Sequence, residues 1–246
     1  WNQIALRLPA TVELAIGSMI IASIVGILTG VVAGSHRDTW VDVAIRLWGT
    51  VIWVMPIFWL GLLFQLVFGV GLRWFPTSGR WTGTDVPATI TGLYTVASLL
   101  EGSLPHFVKA ISHLFLPCLT LGLVLSGFFT KTVRANMLRT ITADYSDAAR
   151  ARGVPERKVV YRHAFKNALV PVVTVLGLQF AILFAGAVLT EQTFSIEGIG
   201  RLLLQSITSK DMTMIQGVVV VYAAIIVVIS LVVDVLGAMI DPRIRL

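Results

Sequence analysis

Between positions 142 and 166 the chain sets two carboxylates, Asp144 and Asp147, ahead of a small-residue pair, Ala148 and Ala149. Arg152, Gly153, Pro155, Arg157 and His163 follow. Charges at this density do the chemistry of ion pairing and docking, not of bond making. The sequence has no Gly-x-x-x-x-Gly-Lys-[Ser/Thr] phosphate loop, no His-Glu-x-x-His and no nucleophile elbow, so neither ATP hydrolysis nor covalent catalysis is expected of it. The segment reads as a helix–turn–helix. Thr142 suits a cap, Asp144 and Asp147 suit a positive first turn, and Gly153 suits a left-handed close. Pro155 then opens a second helix at its first position. Ala148, Ala149 and Ala151 remove bulk, so a partner backbone can approach, and the flanking arginines would hold acidic groups on it. A solvated cationic loop resting on anionic lipid accounts for the same charges.

The elements that must carry this hairpin are membrane helices. The chain is 56% hydrophobic and 13% charged, with mean hydropathy +0.86. Its apolar residues come in blocks, not stripes: 14–35, 47–72, 110–130, 167–190 and 212–233 hold no charge. Each block matches the roughly 20 residues that cross a hydrocarbon core. One transmembrane domain over 1–246 is expected, with five spans near 10–35, 45–72, 110–137, 167–190 and 212–240. The loops are then 73–109, 142–166 and 191–211. Cys118 lies alone in the third span and reads as a packing residue.

Charge sets the orientation. Lys131, Arg134, Arg139, Arg150, Arg152, Arg157, Lys158, Arg162 and Lys166 crowd one loop region, whereas 73–109 carries only Arg73, Arg80 and Lys109. The positive-inside rule puts the hairpin and the C-terminus in the cytoplasm and the loops 73–109 and 191–211 outside. Residue Trp1 then falls outside with no visible means of translocation, so a sixth, earlier span is expected before it. Residues 88–100 are expected to form a short outer-surface helix.

Within the spans, Gly26, Gly30 and Gly34 recur every fourth residue and make a flat face for close helix packing. Pro56, Pro117 and Pro171 mark kinks or shape packing. Gln65, Gln179, Glu191 and Asp234 are polar groups in or near apolar runs. Such groups face helix interfaces or a water-filled path, and Gln65 and Gln179 are the pathway candidates. No His/Cys/Met cluster marks a metal site.

Asp147-Ala148-Ala149 followed by Gly153 resembles the EAA…G signature of the membrane subunits of bacterial ABC importers, with Asp in place of Glu. Further matches point to the dipeptide/oligopeptide/nickel branch, B-type subunit. They include Asp144-Tyr-Ser, Arg162-His163-Ala…Asn167-Ala-Leu-Val-Pro171, Leu176-Gly-Leu-Gln179 and Trp74-Phe-Pro76-Thr-Ser-Gly79. Glu191-Gln-Thr-Phe194…Gly198-Ile-Gly200-Arg201 and Asp241-Pro242-Arg243-Ile-Arg245 complete them. The general pattern's Ile-x-Leu-Pro is absent, and a proline comes only at Pro171.

The resemblance implies an all-α polytopic protein of the type I ABC importer transmembrane fold in a bacterial inner membrane. It implies as partners a second homologous permease subunit, two cytoplasmic ABC ATPase subunits that bind ATP and Mg, and an extracytoplasmic substrate-binding protein. It implies no cofactor in this chain and no nucleic acid. The ATPases would push on Asp144–His163, and the loop bearing Glu191, Phe194, Gly198, Gly200 and Arg201 would meet the binding protein and gate the entrance. Peptide cargo is expected; nickel, haem, glutathione or opine cargo stays open within the family. An ion-coupled secondary transporter would need acidic or His residues at mid-membrane, which the central turns of the spans lack.

Overall fold

The computed structural model describes residues 1–87 and 91–240, without the side chains of 170, 174, 181, 182, 185, 186, 234 and 236–240. The expectations for 88–90, the Asp234 side chain and the tail 241–246 fall outside this description. The described elements are helical: α1 (Asn2–Ser35), α2 (Trp40–Val54), α3 (Ile57–Phe64), α4 (Tyr94–Leu100) and α5 (Leu104–Ile141). α6 (Asp144–Ala151), α7 (Glu156–Lys158), α8 (Phe165–Thr193), α9 (Ile199–Thr208) and α10 (Met212–Ile240) follow. Wider π-turns continue α3 over Gln65–Gly71 and join α7 to α8 over Val159–Ala164.

Three helices among the described residues are long and apolar enough to cross a membrane, within Asn2–Ser35, Leu104–Ile141 and Met212–Val233. The expected second span is not one helix. It breaks at Met55–Pro56, and Trp40–Val54 with Ile57–Gly71 makes a fourth candidate when the two pieces count together. Proline causes the break. Pro56 has no N–H and sits extended at φ −60°, ψ 125°, and the residue before a proline is driven from the α region. Within the expected 88–100 the described residues form a helix at Tyr94–Leu100, α4.

The chain divides into two compact units. The first is Trp1–Ile21, Met55–Gly122 and Phe180–Val227; the second is Ala22–Val54, Leu123–Gln179 and Val228–Leu246.

In the second unit the glycine face works as its spacing predicts. A Cβ on Gly26, Gly30 or Gly34 would lie against the Cβ of Phe129, Val133 or Met137 respectively. Both sets step by four residues, so one i±4 ridge seats in the matching groove at backbone-contact distance. Val31, Val133, Met137, Val160, Ala168 and Val172 form the buried cluster beside it. Thr29 and Thr130 hydroxyls meet at 2.8 Å. Asp42, wholly buried, accepts Arg134 Nε at 2.6 Å and Nη2 at 2.7 Å.

In the first unit Ile4, Ile199, Leu202 and Val218 make an apolar cluster. Glu13, nearly buried, accepts Arg80 Nη2 at 2.6 Å, Thr95 N at 2.8 Å and Thr95 Oγ1 at 2.6 Å, which ties the start of α4 to α1. Cys118 is buried, its thiol 3.7 Å from Leu14 O, as a packing residue would be.

Candidate functional site

The hairpin after α5 is built on that helix's own exhausted hydrogen bonding. The last carbonyls of any helix have no partner within it. Here Ser146 Oγ donates to Thr140 O at 2.7 Å and Arg150 Nη1 donates to Ile141 O at 3.1 Å, so α6 is sewn onto the end of α5. Thr142 does not cap α6. Its hydroxyl turns back to Leu138 O at 3.0 Å, and Ala143 takes the cap position with its carbonyl receiving Ser146 N and Asp147 N. A threonine so close to the end of α5 has that helix's open carbonyls in easier reach.

The turn has the left-handed residue the sequence calls for. Gly153 sits at φ +77°, Gly153 N donates to Arg150 O at 2.9 Å, and Val154 N donates to Ala149 O at 3.2 Å, which together form a Schellman close. Pro155 precedes the second helix instead of opening it. α7 begins at Glu156, and Pro155 O accepts Lys158 N at 2.8 Å. Nothing lies within 4 Å of a Cβ placed on Gly153, so its constraint is the backbone alone. Gly153→Ala is expected to cost about 1 kcal/mol, and Gly153→Val about 2 kcal/mol because β-branching tolerates this conformation least. The check is protease sensitivity of the hairpin in membranes. Equal sensitivity of wild type and Gly153→Val would contradict the assignment.

Arg150 is the hub that sequence reasoning passed over in favour of Arg152 and Arg157. Its guanidinium reaches Asp147 at 2.7 Å and Glu156 at 2.8 and 3.0 Å, bridging α6 and α7 across the turn. These hydrogen bonds hold the Glu156 carboxyl below its ordinary range, so the bridge is intact at neutral pH and is lost only in acid. The six-residue spacing of Arg150 and Glu156 around Gly153 is the signal that was there to be read.

The two faces of α6 are distinct. Ser146 and Ala149 are buried, while Asp144, Asp147 and Ala148 are exposed. This corrects the expectation that Ala149 lies on an open docking face. One step along a helix rotates a side chain by about 100°, which carries Ala149 inward with Ser146 and leaves Ala148 outward. Arg152, Arg157 and His163 are exposed and have no ion-pair partner among the described residues. The hairpin thus exposes acidic groups, one alanine, and cations with no ion-pair partner among the described residues.

The other expected loop is a locked turn. Glu191 is wholly buried, accepting Thr11 Oγ1 at 2.6 Å and Arg201 N at 2.9 Å, while Thr11 Oγ1 accepts Ile199 N at 2.9 Å. A Cβ on Gly198 would run into the Glu191 carboxylate, and one on Gly200 would meet Val188 and Glu191. Phe194 is buried against the Gly61 position, and its carbonyl accepts Gly79 N at 2.9 Å. Glu191, Phe194, Gly198 and Gly200 therefore hold the turn in place and do not present side chains outward; Arg201 joins them through its backbone. Gln192, Ser195 and Glu197 are exposed. Ser195 and Glu197 line a 670 Å³ cavity with Arg7, Arg80, Trp81 and Tyr94.

Gln65 is half-buried, and its amide donates to Thr77 O at 2.7 Å and Thr193 O at 3.0 Å, so it fastens backbone within its unit. Gln179 is half-buried on α8. Among the described residues no group of three His, Cys, Asp or Glu is placed to hold a metal.

Known proteins resemble this chain throughout. It is 40% identical over 238 residues to the dipeptide transport system permease protein DppB of Alkalihalophilus pseudofirmus, covering 97% of this chain and 72% of that one. It is 37% identical over 245 residues to the di/tripeptide transport system permease protein DppB of Pseudomonas aeruginosa, covering 100% and 73%. Among solved structures, the MetNI methionine ABC transporter in an inward-facing conformation superposes with TM-score 0.72 at 14% identity, over 94% of this chain and 93% of that one. An amino acid ABC transporter with histidines superposes at TM-score 0.62 and 15% identity, over 99% and 94%. The fold is that of ABC importer membrane subunits. The profile described as binding-protein-dependent transport system inner membrane component matches residues 26–246, and the chain belongs to that family of multi-pass inner-membrane proteins.

Proposed function

We propose that this chain is one membrane-spanning permease subunit of an ATP-driven importer that carries di- or oligopeptides delivered by an extracytoplasmic binding protein. The observation that carries this reading is near-complete alignment, at 37–40% identity, with permeases whose names specify dipeptide and di/tripeptide transport. The chain works with a second permease subunit and two ATPase subunits that hold ATP and Mg; it needs no cofactor of its own. The hairpin with Asp144, Asp147, Ala148, Arg152, Gly153, Arg157 and His163 faces the cytoplasm, as does the C-terminus. ATPase closure pushes on it, and α5 and α8, which flank it, carry the push into the membrane. Ser195 and Glu197, held out by the locked turn behind them, meet the binding protein. Glu191, Phe194, Gly198, Gly200 and Arg201 act through that turn. Gln179 is the remaining pathway candidate, since the Gln65 amide is committed to backbone carbonyls.

Reconstitution in proteoliposomes tests this. The chain alone should show no ATP turnover. With its partner subunits it should hydrolyse ATP faster when peptide-loaded binding protein is added, and labelled dipeptide should accumulate. Turnover by the isolated chain, or accumulation driven by an ion gradient without ATP, would overturn the reading.

A further inference from the structure

Arg46, Lys131 and Arg134 come together in the second unit around a 450 Å³ cavity between α2 and α5, whose wall also includes Val43, Leu47 and Thr50. Their positions in the sequence fix their depth. Arg46 is the last charge before the uncharged run 47–72, and Lys131 is the first after the run 110–130. Cations at those two boundaries stand where hydrocarbon gives way to headgroups.

The charge around the cavity is unbalanced. Asp42 takes two hydrogen bonds from Arg134 and has Arg46 Nε at 3.5 Å. Arg134 and Arg46 share the Asp42 carboxylate, Asp38 acts on Arg134 from farther off, and Lys131 adds a third cation on the cavity wall. Arg134 Nη1 and Lys131 Nζ have no partner among the described residues, and Lys131 and about half of the Arg46 side chain are exposed. On the hydrocarbon side of Arg46, Leu47 and Val51 stand exposed at i and i+4 on α2 and make an apolar ridge one turn long. A surplus of positive charge at headgroup level, continuous with an exposed apolar ridge, matches an amphiphile with an anionic head.

We propose that the cavity lined by Val43, Arg46, Leu47, Thr50, Lys131 and Arg134 binds the phosphate headgroup of an anionic membrane lipid, with an acyl chain laid along Leu47 and Val51. The Asp42–Arg134 pair orients one guanidinium edge toward the phosphate. Arg46 and Lys131 supply the net attraction. The site is independent of the cargo and of the hairpin's docking.

The test uses the intact transporter complex, extracted in mild detergent and examined by native mass spectrometry after exchange with phosphatidylglycerol or phosphatidylcholine. Arg46→Gln combined with Lys131→Gln should lower phosphatidylglycerol retention on the order of tenfold, since each cation near an anionic surface contributes several-fold. Phosphatidylcholine retention should not change. Arg139→Gln, which removes an exposed charge of α5 outside the cavity, should keep retention at the wild-type level. Equal loss in Arg139→Gln would mean general charge attraction and would overturn the proposal, as would unchanged retention in the double variant. Should the double variant not assemble, Lys131→Gln alone must lower retention, and its failure to do so also overturns the site. A weaker apparent affinity for labelled dipeptide, with lipid retention intact, would assign the cations to cargo and reject the lipid.

Discussion

Ala148→Trp is expected to reduce peptide uptake to background, a loss of about a hundredfold, while the complex still inserts in the membrane. Ala148 is exposed on α6 beside Asp144 and Asp147, so an indole there adds volume to the surface offered to a partner and displaces nothing inside the chain. Interface centres are sensitive to such changes by about 2–4 kcal/mol, which corresponds to at least tens of fold in affinity. Uptake of labelled dipeptide should be measured beside co-purification of the ATPase subunits; both should fall together. Ala149→Trp acts differently. Ala149 is buried, so the indole must disrupt the hairpin itself, and limited proteolysis should cut Ala149→Trp but not Ala148→Trp. Normal transport by Ala148→Trp with ATPases bound would remove the hairpin from the interface and restore the lipid-facing account of its arginines.

The second large effect is expected at Arg134. Replacing it with Ala removes two hydrogen bonds from the buried Asp42 carboxylate, which keeps Arg46 Nε at 3.5 Å and the Asp38 amide at 3.2 Å. Deleting one partner of a buried pair costs about 3–5 kcal/mol where the remaining charge is left alone, and with Arg46 and the Asp38 amide still beside Asp42 a loss of about 1–3 kcal/mol is expected. The thermal midpoint of the purified complex should drop by several degrees, and the amount of protein in membranes should fall. Asp42→Asn in the Arg134→Ala background should recover part of the loss by removing the stranded charge. An unchanged midpoint in Arg134→Ala would show that water reaches Asp42, and that the pair contributes no more than an exposed one.

Length and composition alone make the chain a bundle of membrane helices, since runs free of charge over 20 residues have no other stable home. The Gly26, Gly30 and Gly34 stripe is legible too, because helical period and the lack of a Cβ are local properties. So is the Gly153 turn, where a left-handed backbone selects glycine. Pro56 is legible as a kink or packing proline by the same local rules, but those rules do not say that the helix breaks there, whereas α5 and α8 run on through Pro117 and Pro171.

Other features depend on residues far apart in the chain. Which alanine of the 148–149 pair faces outward follows from how Ser146 and Arg150 reach the carbonyls of Thr140 and Ile141. That is a matter of where α5 ends, not of α6's own sequence. Glu191 resembles a loop residue from its neighbours, but Thr11, 180 positions away, supplies the hydroxyl that receives its carboxylate inside the protein. The Asp42–Arg134 pair spans 92 residues, and the cavity beside it gathers cations from two helices that share no motif. Sequence by itself determined the membrane class, the helical period and the turn that needs glycine, because each rests on a residue and its near neighbours. Only the tertiary structure decided which polar groups are buried and which are offered to partners, because burial is set by what the rest of the chain brings alongside.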